Sequence, residues 1–131
     1  MNLNPHFLQY NLKIIFEELT PEGDLLPPWQ RYPDIKRYSI GWRMGSGEDY
    51  IQAWYAWASQ LDQVRLLAYF KKYTPIPFAW QDWAAAQLGF RDVSDDIFAG
   101  GGEFKGIRWL EEHGLANYAE FTKWYEDISD K

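Results

Sequence analysis

Asp92, Ser94, Asp96 and Glu103 occupy positions 1, 3, 5 and 12 of a twelve-residue window, the spacing at which a helix–loop–helix calcium site presents its oxygen ligands. Carboxylate and hydroxyl oxygens suit calcium. The sixth position, however, needs glycine for its sharp turn and is Ile97, and Gly89 already ends the helix that should lead in. The window therefore reads as a solvated acidic loop. Gly100-Gly101-Gly102 with nearby Lys105 lacks the GxxxxGK[ST] order of a phosphate loop. Gly45-Ser46-Gly47 opens a helix, but Glu48 and Asp49 in its first turn would repel a phosphate, so capping is the better reading. His6 and His113 have no second histidine at i+4, and no GxSxG elbow is present. His113, just before Gly114, suits a helix C-terminus as a cation. With no cysteine there is neither a thiol nucleophile nor a thiolate ligand. Asp82, between Trp80 and Trp83, is the one carboxylate that helical spacing carries toward an apolar setting of the kind used by general acids. It has no identifiable partner. No catalytic residue, metal or cofactor is expected.

Binding is the stronger theme. From Trp29 to Arg43, Trp29, Tyr32, Tyr38 and Trp42 are interleaved with Arg31, Lys36, Arg37 and Arg43. Rings beside guanidinium groups stack on single-stranded bases, pack inside a protein, or anchor a protein interface. The net charge of -6 disfavours nucleic acid, whose binders carry basic domains. That charge originates near the C-terminus. Residues 1–91 hold nine acids and nine bases, whereas 92–131 hold ten acids and four bases. An acidic field of this kind attracts basic surfaces and raises association rates. The residues expected to meet a partner are Asp92, Asp95, Asp96, Glu103, Glu111 and Glu112, with Arg37, Trp42 and Arg43 from the arm.

These groups must be positioned by short helices. Asn4 and Pro5 suit an N-cap and a first helical residue. Leu8, Leu12, Ile15, Phe16 and Leu19 then form an apolar stripe that stops at Thr20-Pro21. Residues 21–47 contain four prolines and several glycines and read as a long connection. Within it Tyr38, Ile40, Trp42 and Met44 alternate with Arg37, Ser39, Gly41 and Arg43, the period of a short strand or extended arm over about 37–44. Ser46 starts a helix buried through Tyr50, Trp54, Trp57, Ala58 and Leu61. Ser59-Gln60-Leu61-Asp62 repeats the capping spacing, so the helix kinks there or a new one begins, with Val64, Leu67, Ala68 and Phe70 inward. Thr74-Pro75-Ile76-Pro77 breaks the pattern. A helix through Phe78, Trp80, Trp83, Ala84 and Leu88 ends at Gly89. Ser94 caps a short turn ahead of the glycine triplet. Two helices close the chain, one stopped by Gly114 and one carrying Phe121, Trp124, Tyr125 and Ile128.

Eight tryptophans, nine tyrosines and eight phenylalanines in 131 residues imply an aromatic core, each buried ring removing ~150–250 Å² from water. The expected fold is mainly α: one compact domain, 1–131, of five or six short helices with an extended arm and an acidic C-terminal part, 92–131. No apolar run approaches the ~18 residues of a membrane span. The N-terminal residues resemble no signal peptide, so a cytoplasmic protein is expected. Over ten residues, Trp109-Leu110-Glu111-Glu112-His113-Gly114-Leu115-Ala116-Asn117-Tyr118 is similar to the W-L-x-x-x-G-L-x-x-Y phrase of sterile alpha motif domains. A helix–Gly–helix turn with aromatic anchors yields the same letters, and the family is not carried over.

The resulting expectation is a small acidic, non-enzymatic module that binds a protein with a basic surface, in the manner of immunity proteins and other inhibitors. One alternative is a small-ligand or enzyme domain with its pocket between the Trp-rich helices and Asp82 as its polar group. The other is a single-stranded nucleic-acid binder acting through the arm.

Overall fold

Proline and glycine set most of the helix boundaries in this chain. A computed structural model describes residues 5–90 and 104–129, with side chains from 11 to 90 and from 104 to 128. The elements are α1 (Pro5–Glu18), α2 (Pro28–Arg31), the 3-10 turn η1 (Ile40–Trp42), α3 (Ser46–Ala58), α4 (Gln63–Lys72), α5 (Phe78–Gln87), α6 (Lys105–Glu112) and α7 (Tyr118–Ser129). The fold is mainly α, and no strand occurs among the described residues. The chain divides into two compact units, Met1–Asp62 and Gln63–Lys131. The division falls at the repeated capping spacing, where a new helix begins at Gln63.

In the first unit α1, α2 and η1 all pack on α3. Tyr50, Ile51, Ala53, Trp54 and Ala58 bury one side of α3, and Leu25, Trp29 and Trp42 join them. The connection after α1 is a proline turn in which Gly23 donates to the Thr20 carbonyl (2.9 Å) and Thr20 to the Asp24 carbonyl (2.8 Å). Pro28 then takes the first position of α2, where its missing N–H has no consequence. The Tyr50 hydroxyl donates to the Leu26 carbonyl at 2.6 Å, holding the incoming chain against α3.

The inward face of α1 differs from the expected stripe. Leu12 and Phe16 are 51% and 75% exposed, while Asn11 is buried and Ile14, Ile15 and Glu18 are half-buried. Positions 11, 14, 15 and 18 are also a helical face. It is turned inward because Glu18 receives two hydrogen bonds from Arg31 of α2, at 2.8 and 3.1 Å.

The segment 37–44 is not a strand. Ser39 accepts from the Gly41 N–H and caps η1, so the chain coils where the alternation suggested extension. Tyr38, Ile40 and Met44 are exposed, and only Trp42 of that set is buried. Gly41 and Gly47 explain the coil, because a Cβ on Gly47 would meet the Gly41 carbonyl. Two glycines let backbone approach backbone there.

In the second unit α5 packs on α6 and α6 on α7. Its core holds Phe70, Trp80, Trp83, Ala84, Leu88, Ile107, Leu110 and Phe121. Trp83 stands edge-on to both Phe70 (6.2 Å) and Trp80 (5.3 Å), the preferred geometry for ring quadrupoles. The inward face of α4 is Leu66, Tyr69 and Phe70. Val64, expected inside, is 77% exposed, and Ala68 is also exposed. Larger rings win the interior: Tyr69 lies 4.9 Å from Tyr73, and Phe70 meets Trp83. The Gln63 amide donates to the Leu88 carbonyl at 2.8 Å and ties the start of α4 to the end of α5.

Candidate functional site

The acidic end of the second unit is organised by the turn between α6 and α7. Gly114 adopts φ +77°, a region side chains disfavour. Gly114 donates to the Glu111 carbonyl and Leu115 to the Leu110 carbonyl, the paired bonds of a Schellman stop. The same pair closes α5, from Gly89 to Ala86 and from Phe90 to Ala85. Asn117 then caps α7 by accepting the Glu120 N–H at 3.0 Å, with Glu120 in the dipole-favoured first turn. Glu111 reaches across the turn to accept the Tyr118 N–H at 2.8 Å. The Tyr118 hydroxyl accepts the Phe104 N–H at 3.0 Å, and the Arg108 guanidinium lies 4.0 Å from the Tyr118 ring centroid. This scaffold leaves Glu111, Glu112, Glu120, Glu126 and Asp127 exposed.

Of the expected partner contacts, Glu111 and Glu112 therefore share the end of α6, and Glu111 also serves the fold. Asp92, Asp95, Asp96 and Glu103 lie outside the described residues, as do the calcium-like window and the glycine triplet. Among the described residues no three His, Asp or Glu side chains converge as metal ligands. His113 donates from Nδ1 to the Trp109 carbonyl at 2.8 Å, and its ring stacks on Trp109 at 3.8 Å. Both contacts hold it at the end of its own helix.

In the first unit, Trp42 is buried and its indole N–H donates to the Lys36 carbonyl at 3.0 Å. It braces the 36–44 loop from within. Arg37 is half-buried, 5.0 Å from the Tyr38 ring, and Arg43 is exposed. Arg31 is half-buried. It lies 4.3 Å from the Tyr32 ring, and its guanidinium is held above its ordinary value, chiefly by the hydrogen bond to Glu18.

Asp82 is half-buried, and its carboxylate accepts the Trp83 N–H at 2.8 Å. The neighbouring Gln81 is the residue that lines a cleft. A cavity of about 480 Å³ lies between the 74–78 connection, with Gln81 behind it, and the 114–120 turn. Gln81 and Glu120 were not singled out from sequence. The signal for Gln81 was a lone amide within the apolar pattern of Trp80, Trp83 and Ala84. Among the described residues no helix is long and apolar enough to cross a membrane. No protein-family model matches the chain, and neither a curated protein nor a solved structure matches it.

Proposed function

We propose that this chain is a non-enzymatic, cytoplasmic protein-binding module whose acidic C-terminal part covers a basic surface on its partner, as an immunity or inhibitor protein does. The supporting observation is the set of five exposed carboxylates on α6 and α7: Glu111, Glu112, Glu120, Glu126 and Asp127. Of these, the Glu111 carboxylate is already held by the Tyr118 N–H, so its side chain has less order left to be imposed on binding. Opposed to them are Lys105, Arg108 and Lys123, and Arg108 is engaged with Tyr118. Asp92, Asp95, Asp96 and Glu103 add to the same acidic stretch of sequence.

The test is association kinetics with the partner recovered from the native cell. Changing Asp95, Asp96, Glu111 and Glu112 to lysine slows association and flattens its dependence on salt, because steering between opposite charges is lost. An unchanged rate would remove the charge argument. Titration of labelled single-stranded oligonucleotides at physiological salt gives no binding. Micromolar binding there, lost in the Arg37→Ala/Arg43→Ala variant, would transfer the function to the arm.

A further inference from the structure

The cleft of the second unit carries a single charge among the described residues, the carboxylate of Glu120. Glu120 is exposed, and among the described residues no cation pairs with its carboxylate; its backbone N–H alone is engaged, by Asn117. Glu111, whose carboxylate accepts the Tyr118 N–H at 2.8 Å, adds a second negative charge at the same end of α7. Together the two outweigh the partial positive charge of a helix N-terminus, roughly half a unit. The cleft therefore presents a negative rim.

Ile76, Phe78 and Leu115 give it apolar walls, and its volume of about 480 Å³ falls within the ~300–1,000 Å³ usual for binding pockets. Both sides are built in advance. On one, Gln81 donates to the Ile76 carbonyl at 2.9 Å, and the Thr74 hydroxyl to the Lys71 carbonyl at 3.0 Å. On the other, Leu115 donates to the Leu110 carbonyl at 2.8 Å. Phe78 is stacked on Trp124 at 5.7 Å. A preformed pocket spares an occupant the cost of ordering it.

Apolar walls that lead to one carboxylate match a long side chain with an aliphatic stem and a cationic head. Arginine suits them better than lysine. Its guanidinium is planar and weakly hydrated, packs on aromatic rings such as that of Phe78, and can meet a carboxylate with two parallel hydrogen bonds. Arginine is also among the residues that most often anchor interfaces. We propose that this cleft is the anchor pocket for an arginine on the partner's basic surface, its stem along the apolar walls and its guanidinium paired with Glu120. The inference rests on the protein-binding reading and names the place where the partner inserts a side chain.

Three capped tripeptides test it, Gly-Arg-Gly, Gly-Lys-Gly and Gly-citrulline-Gly, the last keeping the planar head but not the charge. In ¹H–¹⁵N NMR of the full chain, the arginine peptide shifts the backbone signals of Phe78, Leu115 and Ala116 saturably in the millimolar range. The citrulline peptide binds about two- to fivefold more weakly, the range of an exposed ion pair, and the lysine peptide lies between them. Glu120→Gln, at an exposed position, removes the difference between arginine and citrulline. Ala116→Trp fills the cleft and abolishes the shifts; if that variant fails to fold, Glu120→Gln and the peptide series decide alone. No saturable shift at Phe78 and Leu115, or equal affinity for arginine and citrulline, would overturn the pocket, while the charge-reversal kinetics still decide the protein-binding reading. Conversely, saturable arginine binding beside a partner association that ignores charge reversal would keep the pocket and remove that reading.

Discussion

Gly41 and Gly47 face each other backbone to backbone, with no room for a Cβ on Gly47 beside the Gly41 carbonyl. The obstacle is main chain and cannot swing aside as a side-chain tip would. Gly47→Ala gains less than ~1 kcal/mol of helix propensity in α3. Overpacking against backbone costs ~1–3 kcal/mol, so a net loss of stability is expected from urea unfolding. A more stable alanine variant would show that the approach is looser than this.

Trp54 and Trp57 sit on the same helix but differ in burial, the first being fully enclosed and the second half-buried. Trp54→Ala should cost ~3–5 kcal/mol, as large core deletions do, and Trp57→Ala clearly less. Parallel denaturation curves decide it, and equal losses would contradict the packing described.

Arg31 joins Glu18 through two hydrogen bonds, yet the two side chains are 33% and 30% exposed. Arg31→Lys keeps the charge but loses the fork, and should cost no more than ~1 kcal/mol. Arg31→Ala should cost more, because the contacts with the Tyr32 and Tyr50 rings go as well. The pH dependence has a definite sign. The folded state raises the affinity of Arg31 for its proton, so its contribution is complete below its unfolded pKa and is lost only as pH climbs past the raised value. This group therefore contributes no change in stability from about pH 6 to 10. A loss in that window that disappears in Arg31→Ala would contradict the assignment.

Glu111 and Glu112 are neighbours with separable roles. Glu111→Lys removes the bond to the Tyr118 N–H and should lower the melting temperature, by a cap-sized ~0.5–2 kcal/mol. Glu112→Lys, at an exposed position, should stay within ~0.5 kcal/mol of the parent while still slowing partner association. Thermal melts beside binding kinetics distinguish the two.

Local rules carried most of the fold. Pro5, Pro21, Gly89 and Gly114 mark helix ends through chain geometry alone, and Trp54, Trp80 and Trp83 fall where 3.6-residue spacing puts them. The rotation of α1 and α4 was not legible, because each has two apolar faces and the choice rests on tertiary partners: Arg31 for Glu18, Trp83 for Phe70. The alternation at 38–44 imitated a strand because a 3-10 turn also moves side chains around the axis, and only the Gly41–Gly47 approach distinguishes them. Of the binding residues, the exposed Glu111 and Glu112 followed from charge. The cleft did not, since its walls come from connections some forty residues apart in sequence.

The division at Asp62 has a spectroscopic consequence. Trp29, Trp42, Trp54 and Trp57 belong to the first unit, and Trp80, Trp83, Trp109 and Trp124 to the second. Intrinsic fluorescence therefore has four emitters on each side, and an unresolved emission trace averages two separately built interiors. Replacing one quartet with phenylalanine turns the same instrument into a reporter of a single half. It then becomes measurable whether the chain melts in one step or as two foldons with their own midpoints.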